Sequence, residues 1–321
     1  MMKLERNPLN IFIKWEFLLV AILAIVVIIN STLSPYFLDI HNLFDSTYNF
    51  SEKALIALPM ALVIICGDID ISVASIIAIS SVFMGMASAA GADTGLIVLI
   101  GLGAGLVAGI TNGLMITRFG IPAIVVTIGT MSLFRGVAYL ILGDQAYTVY
   151  PESFGVFGQG ALFDLIPYEF IIFLIFACIF GFVLHFTTIG RRIFAIGNNP
   201  VAARFSGINV QFYRLCIFGL TGWMSGLSAI LLTSRIGSTR PNIAMGWELE
   251  IITVVILGGV NIFGGYGKIP GVVLSVLVMG MVMFGFGLMN VPGIVMSIFI
   301  GFMLILTLLI SNLINKLLRQ K

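Results

Sequence analysis

The chain has 321 residues, of which 60% are hydrophobic and only 9% are Asp, Glu, Lys or Arg, with a formal net charge of +2. An ordinary globular domain carries roughly 25% charged residues, so this chain has too little polar surface to coat a water-soluble fold. The composition excludes a soluble protein, gives no footing for nucleic-acid binding, and points to an integral membrane protein.

A helical span needs about 20 mostly apolar residues. In chain order, strong spans are predicted at 17–34, 95–116, 123–142, 168–189, 215–233, 270–288 and 293–312. Weaker ones fall at 53–66, 72–90 and 250–264. The first and third of these are short for a crossing and are expected to be broken, tilted or re-entrant. The run FLLVAILAIVVII at 17–29 does not alternate in polarity, which argues against a transmembrane barrel of ten-residue alternating strands. The expected fold is an all-α polytopic bundle of about ten spans, one permease-like domain over 1–321. Its largest outer loop is 143–167 and its largest inner loop 190–214.

Ten spans place both termini on one side. With the N-terminus in the cytoplasm, the inner segments carry Lys3, Arg6, Lys14, Arg118, Arg191, Arg192, Arg204, Arg214, Lys268, Lys316, Arg319 and Lys321. Lys53, Arg235 and Arg240 fall outside, and Arg135 inside a span. This asymmetry obeys the positive-inside rule. No small-x-small cleavage site follows the first span, where INSTLSPYF stands instead, so it reads as an uncleaved helix. Cys66, Cys178 and Cys216 are isolated and show neither a disulfide framework nor metal-ligand spacing.

Six polar features interrupt this pattern. CGDIDISVAS at 66–75 puts Asp68 and Asp70 near membrane depth, where a carboxylate needs water, a cavity or a partner. Gly67 allows a bend there and Ser72 can cap a new helix, so a structural turn or gate is expected beside a pathway. Gly101, Gly105 and Gly109 recur every four residues, with Asn112 on a neighbouring line; small residues so spaced let two helices approach closely. Arg135 lies well inside a span and either contacts a solute or gate, or pairs structurally with Asn112 or an acid.

The inner loop offers Asn199 as a helix cap and Pro200 at the first helical position. Residues 200–206 read as a short helix, with Gly207 as its stop. Ala202 and Phe205 share a face and, with Ala203 and Arg204, form either a docking surface for a separate motor or a plain connector. Glu248 and Glu250 open the span GWELEIITVV, where acids suit the positive end of a helix dipole; in a cavity, Glu248 can also bind solute hydroxyls. The glycine-rich turn at 258–271 is not a P-loop, because Ile269 follows Lys268. With the break at 67–75, it would fit a weak internal duplication.

Four blocks resemble the permease subunits of bacterial ABC importers in the ribose, rhamnose and autoinducer-2 group. They are GDIDISVAS at 67–75, NGLMITRFGIPAIVVTIGTMSLFRG at 112–136, GRRIFAIGNNPVAARFSGINV at 190–210 and WELEIITVVILGGVNIFGGYGKIPG at 247–271. The family commonly has Gly in place of Asp68 and often in place of Ala74. The resemblance implies a transport subunit of the bacterial inner membrane that hydrolyses nothing and needs no cofactor. It implies a second permease copy or paralogue, a cytoplasmic ATP-binding cassette ATPase docked at 199–207, and an extracytoplasmic sugar-binding protein. Asp68, Asp70, Ser72, Asn112, Arg135 and Glu248 become pathway or gate candidates. GSTRPNIAMGWELE and AYTVYPESFGVFGQG look most like rhamnose-type or autoinducer-2-type permeases. The alternatives are an ion-coupled secondary transporter using Asp68 and Asp70, and an intramembrane enzyme.

Overall fold

The computed structural model of the protein describes residues 15–319, with side chains as far as Leu309. The inner-side assignments of Lys3, Arg6, Lys14 and Lys321, and of the Lys316 and Arg319 side chains, lie outside the described residues. The fold is an all-α membrane bundle. Its first half holds α1 (Trp15–Leu33), α2 (Ile40–Ser46), α3 (Tyr48–Ile65), α4 (Val73–Ala89), α5 (Thr94–Phe119) and α6 (Ala123–Leu142). An outer cap follows: α7 (Glu152–Gln159) and a two-stranded hairpin, β1 (Ala161–Leu162) with β2 (Ile166–Pro167). Then come α8 (Tyr168–Phe186), α9 (Thr188–Asn198), α10 (Pro200–Phe205) and α11 (Val210–Ile236). The chain closes with α12 (Trp247–Leu257), α13 (Ile269–Leu288) and α14 (Gly293–Arg319).

Seven of the described helices are long and apolar enough to cross a membrane: α1, α3, α5, α6, α8, α11 and α13. Helix α4 and the first part of α14 are shorter apolar helices. The weak span expected at 53–66 starts earlier, at Tyr48, and is buried on nearly every side. Protein rather than lipid surrounds α3, so Glu52 and Lys53 can sit in its second turn beside ionic partners. The span expected at 250–264 is corrected more sharply. Helix α12 has 11 residues, about 16 Å at 1.5 Å each, against a hydrocarbon core of about 30 Å.

Helices α3 and α12 stop in the same way. Gly67 N donates to Ile64 O and Asp68 N to Val63 O; Gly259 N donates to Ile256 O and Val260 N to Val255 O. These are paired Schellman caps, and each needs a left-handed glycine. Both Gly67 and Gly259 have φ of +84°. The two stops meet, since Gly265 N donates to the Ile65 carbonyl at 2.8 Å. Asn198 at the end of α9 donates to the Gly265 carbonyl at 3.2 Å.

The glycine stripe of α5 packs on α11. A Cβ on Gly105 would run into the Gly222 carbonyl, and one on Gly109 into the Phe218 carbonyl. Gly222 in turn leaves no room before the Gly105 carbonyl. Between helices that lipid does not push together, such backbone proximity supplies the attraction through close van der Waals contact. The outer cap is tied to the end of α11, with Gly158 N donating to Ser234 Oγ at 2.8 Å. Backbone bonds between Tyr147 and Thr239 add a second tie.

Replacing Gly109 by Leu should therefore force α5 and α11 apart and lower stability by at least about 1–3 kcal/mol, the usual range for overpacking. Gly103→Leu on the open face, where a new Cβ meets nothing, should be near neutral. Thermal unfolding of the two purified variants in detergent checks the contrast, and equal melting temperatures would refute it.

Candidate functional site

On the outer side, a cleft of about 460 Å³ lies between α3, α11, α12, α13 and α14. Its polar lining comes from Asn49, Lys53, Arg235, Trp247, Glu250 and Ser297. It exists because α12 is short. With its C-terminal stop joined to that of α3, α12 begins seven residues, or about 10 Å, deeper than α3 does. Lys53 Nζ donates to both Glu250 oxygens, at 2.9 and 2.8 Å. It also sits 4.9 Å from the centroid of the Trp247 ring, a cation–π contact. Beneath this pair the space narrows to about 10 Å³ between Phe50, Ala57, Val254, Val276 and Met279, room for about one water. The route inward is closed there.

Beside the cleft, Arg235 holds Glu52 through two bonds of 2.8 and 3.0 Å. Such a bidentate pair is the strongest geometry for a buried carboxylate. Glu169 packs in electrostatic reach of both, fully buried, and neither of its oxygens finds a donor among the described residues.

A second polar group closes the inner side. Arg214 Nη2 donates to Asp68 Oδ1 at 2.7 Å, tying the α3–α4 break to the first turns of α11. Burial pushes the Asp68 carboxyl up to about 6, with Arg214 pulling the other way. Asp70 Oδ1 accepts from Ser72 N at 2.8 Å and Ser72 Oγ at 2.6 Å. Ser72 therefore does not cap α4 through its own hydroxyl as expected; that proton is given to Asp70, and Asn112 Nδ2 donates to the same oxygen at 2.8 Å. Burial also pushes Asp70 up to about 6, against the two Ser72 hydrogen bonds. Asp70 Oδ2 and Asn112 Oδ1 are buried acceptors with no donor among the described residues.

Arg135 takes neither of its expected side-chain partners. Its Nη1 donates to the carbonyls of Pro241 and Ile243, both at 2.8 Å, and so straps the loop between α11 and α12. Half-buried Glu248 lies in electrostatic range of Arg135, while Glu250, two residues on, is the acid that lines the cleft. The six pathway candidates thus divide. Asp68, Asp70, Ser72 and Asn112 gather on the inner side, and Arg135 and Glu248 lie at the outer loop.

The short inner helix is built as its residues dictate. Asn199 Oδ1 accepts from Val201 N at 3.1 Å and Ala202 N at 3.0 Å, with Pro200 at the first position. Gly207, at φ +82°, ends it. Phe205 is 89% exposed, and Val201, Ala202 and Arg204 are exposed with it. Ala203 is the correction: it is 4% exposed and faces the bundle, anchoring the helix rather than joining its open surface.

The sequence profile described as branched-chain amino acid transport system / permease component matches residues 42–308. The chain belongs to this permease family. Among its relatives is the autoinducer 2 import system permease protein LsrD of Yersinia enterocolitica, 35% identical over 267 residues, 81% of this chain and 80% of that one. The LsrD of Klebsiella pneumoniae is 35% identical over 280 residues, 85% and 82% of the two chains. That of Yersinia pestis strain Pestoides F is 34% identical over 267 residues, 81% and 80%. No solved structure matches the chain. Proteins of this family are transport subunits, and the bundle is that of a multi-pass membrane protein.

In the permease, Asp68–Arg214 acts as a latch more than as a source of stability. Both Asp68 and Asp70 bind protons more tightly folded than unfolded, so stability falls as pH rises through the window from the ordinary carboxylate range to about 6. The latch itself needs an ionised Asp68; it is made above about pH 6 and lost as pH falls through that value. Asp68→Asn should raise hydrogen exchange of the 66–72 backbone about tenfold at pH 7.5, equivalent to ~1.4 kcal/mol of local opening. In the unmodified protein the same opening should appear, after correction for intrinsic rates, as pH drops below about 6. Any pH response that survives in Asp68→Asn belongs to Asp70. Identical exchange in both proteins across the range would rule the latch out.

Proposed function

We propose that this chain is the membrane-spanning subunit of an ATP-driven importer of the bacterial inner membrane. It carries a small sugar or sugar-like molecule, of autoinducer-2 or rhamnose type, by alternating access. A cytoplasmic ATP-binding cassette ATPase supplies the energy, a second permease subunit completes the membrane unit, and an extracytoplasmic binding protein delivers the solute. The observation that carries this reading is the exposed Phe205 on a capped, anchored helix five residues ahead of α11. A large apolar side chain held out from the inner face of a membrane protein needs a partner. Ala203 fixes the helix from below, so force applied at Phe205 reaches α11 and, through Arg214, the α3–α4 break. Family membership and the LsrD relatives, which are permeases of autoinducer 2 import by name, support the same conclusion.

The buried, donorless Asp70 Oδ2 and Asn112 Oδ1 favour a second reading, ion-coupled transport through a broken-helix site. Reconstitution separates the two. Proteoliposomes containing the permease, its genomic-neighbour ATPase and the binding protein should import autoinducer-2 or L-rhamnose only with ATP. Phe205→Ser should cut ATPase capture and import by about tenfold or more, as loss of an exposed apolar anchor does, while membrane insertion is unchanged. Uptake driven by a proton or sodium gradient, with no ATPase present, would replace the importer reading by the second.

A further inference from the structure

We propose that the outer cleft is where the permease recognises its solute, and that the solute is a neutral, polyhydroxylated molecule. Its Lys53–Glu250 pair is both the diol-binding group and the closed gate beneath it. The proposal deepens the importer reading and rests on it for the direction of travel. Its first support is size: about 460 Å³ falls within the roughly 300–1,000 Å³ of small-molecule sites. The second is position. Lys53 and Glu250 line both the open cleft and the constriction below it, so the ion pair is the boundary between them.

The third support is charge. Lys53 is matched by Glu250, and Arg235 by Glu52. A charged solute would find its counter-ion already taken and the other member of the pair repelling it. An apolar solute could not part the pair at all, because each separated ion would be left uncompensated in a confined space. A vicinal diol can. One hydroxyl donates to the Glu250 carboxylate while its neighbour accepts from the Lys53 ammonium, so both ions stay satisfied as the gap between them widens. Trp247, now covered by Lys53, then offers a flat apolar face to the ring carbons. Few placed polar groups against an aromatic wall is the ordinary composition of a small-molecule site.

Substituted-cysteine labelling tests this in the full chain, with Cys178 and Cys216 changed to Ser. Asn49→Cys reports from the cleft wall and Ala57→Cys from below the pair. In right-side-out vesicles, an external cationic methanethiosulfonate reagent should modify the first and spare the second. L-rhamnose, D-ribose or autoinducer-2 at millimolar concentration should slow labelling of Asn49→Cys, and glucuronate should not. Glu250→Gln should weaken that protection about tenfold, the effect of losing one charged hydrogen bond. Lys53→Met should expose Ala57→Cys about tenfold faster, since the gate loses its ionic closure. The charge exchange Lys53→Glu with Glu250→Lys should close it again, which a merely misfolded variant would not do. Absence of protection by all three neutral solutes, equal protection by glucuronate, or no response of Ala57→Cys to breaking the pair would each overturn the proposal. ATP-driven import of a solute that fails to protect would overturn the cleft and leave the importer standing. Protection without ATP-driven import would keep the cleft and remove the importer.

Discussion

Two left-handed glycines set the plan of this bundle. Gly67 and Gly259 let α3 and α12 stop with their last carbonyls satisfied by their own turns, as a helix end inside a membrane protein requires. The stops lie against each other through Ile65 and Gly265. Everything polar is arranged about that junction. Below it, the α3–α4 break carries Asp68 and Asp70 into contact with α11 and α5. Above it, the shortness of α12 leaves the recess in which Lys53, Glu250 and Trp247 meet. A side chain at either glycine would strain the backbone, lose the cap and move both polar groups together.

The ions sort by face. Lys53 with Glu250 and Arg235 with Glu52 join groups that the charge asymmetry puts outside; Arg214 with Asp68 and Lys268 with Glu16 join groups it puts inside. Each pair therefore neutralises a buried or half-buried acid without asking a charge to cross the hydrocarbon. Isolated pairs of this kind add little net stability, but removing one member leaves the other stranded. That asymmetry suits parts that must open and reclose with their partners intact. Glu169 stands apart, since the single guanidinium nearby is already committed to Glu52.

Length and hydropathy were enough to read the bundle. The spans at 123–142 and 270–288 fall within a residue of α6 and α13, because those helices have an apolar stretch as long as the membrane is thick. Where protein replaces lipid, hydropathy fails: α3 is longer than its apolar run because Glu52 and Lys53 are paired inside the bundle. Helix α9 was hidden in what read as loop, since its Arg191 and Arg192 dilute an apolar face formed by Ile193 and Ile196. Asn199, Pro200 and Gly207 announced α10 through local chemistry alone. Pairings such as Lys53 with Glu250 or Arg135 with Pro241 could not be read the same way. They join residues far apart in the chain, and nothing in their neighbours' identities fixes which helices will touch.

The glycine contact between α5 and α11 has a mechanical meaning. Backbones that close have no soft layer of side chains to shear, so these two helices move as one beam. In the proposed importer, α11 starts just beyond the coupling helix, and a nudge from the motor would be delivered along the whole beam to Ser234 and the outer cap. The same rigidity would bring Arg235, at the beam's far end, into register with every stroke felt at Arg214.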